Sequence, residues 1–166
     1  MRMEGGGSYN VAPGQITDDS ELAMCLMRGI IDGKGKFNTA HIVKYYDQWL
    51  SDGPFDICPT IKNSFSAIDS KNPSPIAPRS VAYSQNKQDL SNVSLMKIMP
   101  LAVWTQNLTE NEVSDAVKRD VEIIHPGVVM PNLVTSYCLA IRFLIKNHSE
   151  EDRAQRAFDI AKEHAK

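Results

Sequence analysis

Cysteine is scarce in this sequence, and the few cysteines are poorly spaced for a disulfide framework. The 166 residues contain three, at Cys25, Cys58 and Cys138. An odd number of widely separated cysteines, with no C-x-x-C pair, indicates free thiols in a reducing compartment. We therefore expect a cytoplasmic protein without structural disulfides.

A long apolar run and a strong net charge are also missing. The longest apolar segment, residues 133–145, is interrupted by Thr135, Ser136 and Arg142, so we expect no membrane span. The first four residues lead directly into three glycines, without the apolar stretch of a secretory signal. A formal net charge of -2 gives no electrostatic basis for general nucleic-acid binding.

Strand patterns are absent as well, and helical periodicity takes their place. Apolar residues recur at intervals of three and four along several segments, as they do on the buried face of an amphipathic helix. The predicted helices cover residues 19–32, 39–52, 59–68, 95–103, 110–124, 128–146 and 150–166. The sequence therefore predicts an all-α fold, a helical bundle long enough to bury a core.

Residues 69–91 interrupt this periodicity. They contain three prolines among serines, asparagines and glutamines, and no helical repeat is evident. Loops of this length inside a domain are usually functional or disordered. We predict a surface loop that flanks the functional site.

The most informative short segment is Thr17-Asp18-Asp19, which stands directly before the first predicted helix. A hydroxyl and two carboxylates in a row are oxygen ligands of the kind that Mg²⁺ and Mn²⁺ prefer. The same residues allow a simpler interpretation, because Asp18 followed by Glu21 is a capping box that needs no metal. The spacing alone leaves both interpretations open.

Residues 13–24 resemble the P-G-x-x-T-D-D-[TS] signature of the ADP-ribosylglycohydrolase family, which includes the dinitrogenase reductase-activating glycohydrolases. Three further blocks resemble this family in the same order along the chain: residues 53–57, 91–101 and 125–126. The matching blocks are spread from residue 5 to about residue 145. One block would be weak evidence, but four in register identify the sequence as similar to this family.

The resemblance implies a hydrolase that removes ADP-ribose from a modified protein, another acceptor or an ADP-ribose-containing small molecule. It implies metal ligation by Thr17, Asp18 and Asp19, with two divalent ions, Mg²⁺ or Mn²⁺, in a complete family member. It also implies that Asp18 and Asp19 are catalytic. Paired metals can hold the distal ribose and an activated water, and a nearby carboxylate can act as the base.

The resemblance further implies that four residues bind the substrate: Asp56, Asn92, Ser94 and His125. Each also has an ordinary structural interpretation, as an Asx-turn residue, a helix cap or a structural histidine. The sequence departs from the family pattern at three positions: Cys58 and Val93 replace glycines, and Lys97 replaces the usual arginine. Lysine cannot make the planar bidentate contact that arginine makes.

Two family motifs are absent from the sequence, namely an upstream acidic helix and a D-x-D-[ST] motif. We therefore predict a single partial domain over residues 1–166, equivalent to the middle of a family member. Such a fragment should leave apolar faces bare, be poorly stable and lack activity. The alternatives are a non-catalytic ADP-ribose- or nucleotide-binding module and a helical interaction protein, in which Thr17, Asp18 and Asp19 only cap a helix.

Overall fold

The computed structural model describes residues 4–165, and these residues form nine α-helices connected by short loops. The helices are α1 (Asp18–Asp32), α2 (Thr39–Ser51), α3 (Pro59–Phe65), α4 (Ile76–Gln85), α5 (Val93–Met96), α6 (Met99–Trp104), α7 (Glu110–Val121), α8 (Val129–Lys146) and α9 (Arg153–His164). The described part of the chain contains no β-sheet, only an isolated bridge between Gly6 and Val11. The predicted all-α fold is confirmed.

The first two helices pack closely against each other because a glycine stands where their backbones meet. A Cβ atom on Gly29 of α1 would lie 2.6 Å from Cα of Ile42 on α2, which is closer than real Cβ contacts. Leu22, Leu26 and Ile42 are fully buried at this contact. The apolar stripes predicted for α1 and α2 therefore face the core.

Thr109 and Glu112 form a capping box at the start of α7. The side chain of Glu112 accepts a hydrogen bond from the backbone N–H of Thr109 at 2.7 Å, and the hydroxyl of Thr109 accepts one from the N–H of Glu112 at 3.4 Å. Both bonds satisfy N–H groups that have no partner inside the helix. The apolar face of α7, including Val113 and Val117, is buried against α8.

The prediction that residues 69–91 form a loop is wrong, since they contain α4, which packs against α3. Two prolines explain the error. Pro75 is the N-cap of α4, and Pro78 lies in its first turn, where a missing N–H breaks no helical hydrogen bond. Pro78 is also buried. Prolines that seemed to exclude a helix instead mark where it begins.

Two other helix boundaries differ from the prediction. Residues 95–103 form two short helices, because Pro100 stands in the first turn of α6 and cannot continue the preceding helix. The last helix begins at Arg153, three residues later than predicted, with Asp152 as its N-cap.

An apolar groove of about 460 Å³ opens between α8 and α9. Leu95, Leu133, Tyr137 and Phe158 line it, and 61% of the Phe158 side chain is exposed. No helix within residues 4–165 combines the length and the apolar character needed to span a membrane.

Candidate functional site

The segment Thr17-Asp18-Asp19 forms the start of α1. Thr17 is the N-cap residue, and Asp18 is the first residue of the helix, with only 8% of its surface exposed. The hydroxyl of Thr17 donates to the Asp19 carboxylate at 3.4 Å, and the Asp18 carboxylate accepts the N–H of Asp19 at 3.1 Å. The three oxygen-bearing side chains therefore lie together, as the sequence predicts.

The capping box proposed from Asp18 and Glu21 is wrong. Within residues 4–165, the side chain of the N-cap Thr17 accepts no hydrogen bond from the first turn of α1. The carboxylate of Glu21 instead accepts a hydrogen bond of 2.7 Å from the indole N–H of Trp49 on α2. Glu21 therefore ties α1 to α2 and completes no capping box, while Asp18 still accepts the free N–H of Asp19 in the first turn.

Asp56, in the loop between α2 and α3, lies near the start of α1. Burial raises the pKa of Asp18, and the negative charges of Asp56, Asp19 and Glu21 raise it further. Across residues 4–165, Asp18, Asp19 and Asp56 form no ion pair with a lysine, arginine or histidine. The structure thus concentrates negative charge here without a compensating basic side chain.

Two exposed aromatic rings border these carboxylates. Tyr9 lies in a turn closed by hydrogen bonds of 2.8 and 3.0 Å between Gly6 and Val11. Its ring contacts the Phe55 ring edge-on, with 5.7 Å between ring centroids, and the two side chains are 58% and 42% exposed. The Asp56 carboxylate raises the pKa of the Tyr9 phenol. No motif in the sequence points to Tyr9.

The side chains at the start of α1 supply some, but not all, of the ligands that a divalent cation needs. Clustered carboxylates without a basic partner favour a cation, since the cation would relieve their mutual repulsion. However, no group of three or more His, Cys, Asp or Glu side chains in the described chain is arranged to hold a metal ion. Thr17, Asp18 and Asp19 would supply the ligands, and further donors or water would be needed to complete the coordination shell.

A cleft of about 320 Å³ runs between α1 and α2 beside this acidic cluster. Glu21 and Phe55 stand at its edge nearest the cluster, and Trp49, Arg28 and Asp52 also line it. Its one thiol, Cys25, is not a nucleophile at neutral pH, because burial raises the pKa of Cys25 to about 11. The cleft is the concave surface next to the predicted ligands.

A second polar group joins α5 to the turn between α7 and α8. The hydroxyl of Ser94 lies 2.7 Å from Nδ1 of His125, and that of Ser91 lies 3.3 Å from Nε2. Ser94 and His125 are fully buried, and burial lowers the pKa of His125. Asn92 is exposed at the N-cap of α5. Of these predicted substrate-binding residues, only Asn92 therefore presents its side chain to solvent.

Sequence reasoning missed two residues that stabilise this turn. Burial alone would raise the pKa of Asp89, but hydrogen bonds from Thr60 and Ser91 and the nearby His125 outweigh it, so the pKa is lowered. The buried amide nitrogen of Asn86 lies 2.9 Å from both the carbonyl of Thr60 and the hydroxyl of Ser64. An Asn followed by an Asp in a predicted loop was the only sequence signal.

Lys97, which replaces the usual arginine of the family, is fully buried. Its ammonium group forms an ion pair with Asp120 on α7 and donates a hydrogen bond of 2.8 Å to the Tyr46 hydroxyl on α2. Tyr46 in turn donates to the Asp120 carboxylate at 3.0 Å. Lys97 therefore contacts protein groups and is not exposed to a ligand.

The structure thus forms two groups from the predicted site residues. Asp18, Asp19 and Asp56 lie at the start of α1, while Ser94 and His125 are joined behind Asn92. The helices that carry them are in contact, because α5 and α6 both pack against α1. That both groups line one binding cleft stays a prediction.

Comparison with known proteins gives a consistent result. The family model described as ADP-ribosylglycohydrolase matches residues 1–166. A protein of Acanthamoeba polyphaga mimivirus that carries the name ADP-ribosyl glycohydrolase is 29% identical over 150 residues, which are 87% of this chain and 44% of that protein. The ADP-ribosyl-[dinitrogen reductase] glycohydrolase of Rhodospirillum rubrum is 32% identical over 104 residues, which are 63% of this chain and 33% of that enzyme. The chain thus spans less than half the length of these relatives.

Proposed function

The chain belongs to the ADP-ribosylglycohydrolase family, and we propose that it carries part of a divalent-metal-dependent site that removes ADP-ribose from a modified protein or another acceptor. The observation that carries this proposal is the group of Asp18, Asp19 and Asp56 at the start of α1, which forms no ion pair with a basic side chain within residues 4–165. Like charges grouped around the buried Asp18 cost stability. A bound cation would offset that cost, and cation binding would explain why the carboxylates are grouped.

Each residue of the proposed site has a role that follows from its donor atoms. Thr17, Asp18 and Asp19 would hold Mg²⁺ or Mn²⁺, which supplies Lewis-acid polarisation of oxygen when bound. A carboxylate of Asp18 or Asp19 would accept the proton of the attacking water while positive charge develops on the anomeric carbon. Asp56 would accept hydrogen bonds from ribose hydroxyl groups.

The substrate side of the site would be formed by the Asn92 turn. The exposed amide of Asn92 is placed to contact ADP-ribose, whereas Ser94 and His125 would act from behind by holding that turn in place. We place the same segment within reach of the α1 carboxylates because α5 packs against α1.

The donor set of the described residues also bears on activity. Mg²⁺ favours near-octahedral coordination, and Thr17, Asp18 and Asp19 offer only part of it. We therefore propose that the 166-residue polypeptide binds Mg²⁺ or Mn²⁺ weakly and releases no measurable ADP-ribose by itself. An extended polypeptide that supplies an upstream acidic segment and a D-x-D-[ST] segment should be active.

A second candidate function is non-catalytic ADP-ribose binding. The incomplete donor set favours it, because binding needs fewer ligands than hydrolysis. A helical interaction protein is less well supported, since the capping box expected from Asp18 and Glu21 is not formed.

ADP-ribose binding and ADP-ribose release together test these proposals. Calorimetric titration of the chain with ADP-ribose should show binding that weakens when Mn²⁺ is removed and when Asp56 is changed in Asp56→Asn. The control Asp115→Asn, an exposed aspartate on α7, should bind as the wild type does. Release from an ADP-ribosylated protein should be seen only with the extended polypeptide.

Two other results would contradict these proposals. Robust metal-dependent release by the 166-residue chain would show that the site is complete without further acidic segments. An absence of ADP-ribose binding, with and without Mn²⁺, would leave only the helical interaction protein.

A further inference from the structure

The three fully buried polar side chains of Lys97, Asp120 and Tyr46 form a closed network at the centre of the molecule. Lys97 and Asp120 are each 0% exposed, and the Tyr46 hydroxyl lies between them, accepting from Lys97 and donating to Asp120. Each member contacts the other two, and the removal of Lys97 or Asp120 would leave a buried charge without its counter-charge. Buried ion pairs of this kind seldom contribute net stability compared with apolar residues of similar size. Stability alone is therefore a poor explanation for the network.

The network joins two helices, α2 and α7, to one short segment of chain. Tyr46 lies on α2, Asp120 lies near the end of α7, and Lys97 is the residue that follows α5. The Tyr46 ring stacks on Phe65 of α3, with 4.7 Å between ring centroids, which fixes the position of its hydroxyl. The Lys97 ammonium is thus held by groups that are themselves held by the core.

A second connection fixes the other end of α5. Ser94 contacts His125, which lies just beyond α7 in the turn that leads to α8. Residues 91–97 are therefore fastened to the end of α7 at two points, three residues apart, while α5 packs against α1. A helix of four residues has little stability of its own, because helix nucleation is unfavourable. Its position must come from these tertiary contacts.

We propose that Lys97 is a positioning residue, which acts through Asp120 and Tyr46 to fix residues 91–97 against the start of α1. This inference rests on the proposed function, since it gives the network the task of holding the Asn92 turn at a set distance from the carboxylates of Asp18 and Asp19. Lys97 itself touches no ligand. A side chain that only stabilised the core could be replaced by an apolar one without effect on the turn.

Apolar replacement of the whole network separates positioning from stability. The triple variant Tyr46→Phe/Lys97→Met/Asp120→Leu removes all three polar groups together, so that no buried charge is left unpaired. The matched control is Lys118→Met, which removes an exposed lysine of α7 whose ammonium lies 3.8 Å from Glu122. Hydrogen–deuterium exchange of residues 91–98 and the affinity for ADP-ribose are measured for both variants and for the wild type.

The proposal expects the triple variant to fold, with amides of residues 91–98 exchanging at least about tenfold faster while α2 and α7 keep their protection. Its affinity for ADP-ribose should fall at least about tenfold, and the control should match the wild type. Wild-type exchange in residues 91–98 of a folded triple variant would overturn the proposal. So would an unchanged affinity.

Two further results keep the test decisive. If the triple variant does not fold, Tyr46→Phe is measured alone, because it keeps the ion pair and removes the hydroxyl that bridges it. Faster exchange of residues 91–98 in Tyr46→Phe supports the proposal. Unchanged exchange overturns it. If the wild type binds no ADP-ribose, the proposed function fails at that step. The exchange of residues 91–98 then decides on its own whether Lys97 positions the segment.

Discussion

The hydroxyl of Ser94 lies 2.7 Å from Nδ1 of His125, and this buried hydrogen bond links α5 to the turn between α7 and α8. The bond places both residues behind the exposed Asn92. We propose that the substrate-binding role, which the family resemblance implies for them, is exercised through the position of the turn. Several measurable consequences follow from this arrangement and from the acidic cluster on α1.

The stability of the protein should decline in mild acid because of His125. Burial lowers the pKa of His125 in the folded state below the 6.5 of a free histidine. The unfolded chain then binds more protons than the folded chain as the pH falls below 6.5 towards the folded pKa, so the free energy of unfolding decreases over that window. Above pH 6.5 His125 is neutral in both the folded and the unfolded state, so its titration no longer lowers the free energy of unfolding. In His125→Gln, which cannot titrate, urea unfolding between pH 7.5 and 5.5 should show a smaller decline, whereas an equal decline would contradict the assignment.

Loss of the Asn86 amide should be costly. In Asn86→Ala, the buried acceptors of Thr60 and Ser64 lose a donor, and an unsatisfied buried polar group costs about 1–3 kcal/mol. Chemical denaturation should show a free energy of unfolding that is lower than the wild type's by about 1–3 kcal/mol. The exposed Asn72→Ala is the control, and a loss in Asn86→Ala no larger than in this control would count against the buried network.

Gly29 should not tolerate a side chain. In Gly29→Ala the new methyl group would lie 2.6 Å from Cα of Ile42, so α1 and α2 must separate. Overpacking of this kind costs about 1–3 kcal/mol, which exceeds the higher helix propensity of alanine. Thermal unfolding should give a lower midpoint than the wild type, while Ser20→Ala, at an exposed position of the same helix, should not. A midpoint at or above the wild-type value in Gly29→Ala would refute the close contact.

The acidic cluster should reduce stability when no metal is present. Because burial and then the charge of Asp56 raise the folded-state pKa of Asp18, its ionisation opposes folding once the pH exceeds that value. The folded state is favoured by this group below about pH 3.8 and loses that advantage as the pH rises through the raised pKa. In the presence of EDTA at pH 7, Asp18→Asn should therefore unfold at a higher temperature than the wild type. A lower midpoint would show that the carboxylate is already compensated.

Apolar periodicity in the sequence is sufficient to predict the long helices. The stripes of α1, α2, α7 and α8 are long enough to identify each helix, because the buried face repeats over several turns. Short helices carry no such repeat, so periodicity does not reveal the helix starts near Pro78 and Pro100. In both cases the proline lies in the first turn of a helix, where its missing N–H costs nothing.

The candidate site depends on contacts that no local pattern encodes. Glu21 has the spacing of a capping box, yet it bonds to Trp49 on another helix, because the tertiary fold offers it an indole donor at 2.7 Å. Lys97 likewise pairs with Asp120, which is distant in sequence. The family resemblance suggested which residues form the site. Only the fold shows which of them are exposed and which are buried.

Binding of Mn²⁺ at the start of α1 is the most direct test of this account. Calorimetry or paramagnetic relaxation of water protons measures the affinity of the wild type, of Asp18→Ala/Asp19→Ala and of the control Glu151→Gln/Asp152→Asn. The control removes two adjacent exposed carboxylates at the start of α9, so it matches the double variant in charge and position. We predict weak binding to the wild type and the control, and a loss of at least about tenfold, or 1.4 kcal/mol, in Asp18→Ala/Asp19→Ala. Equal Mn²⁺ affinity in all three proteins would contradict the assignment of the metal to Thr17, Asp18 and Asp19.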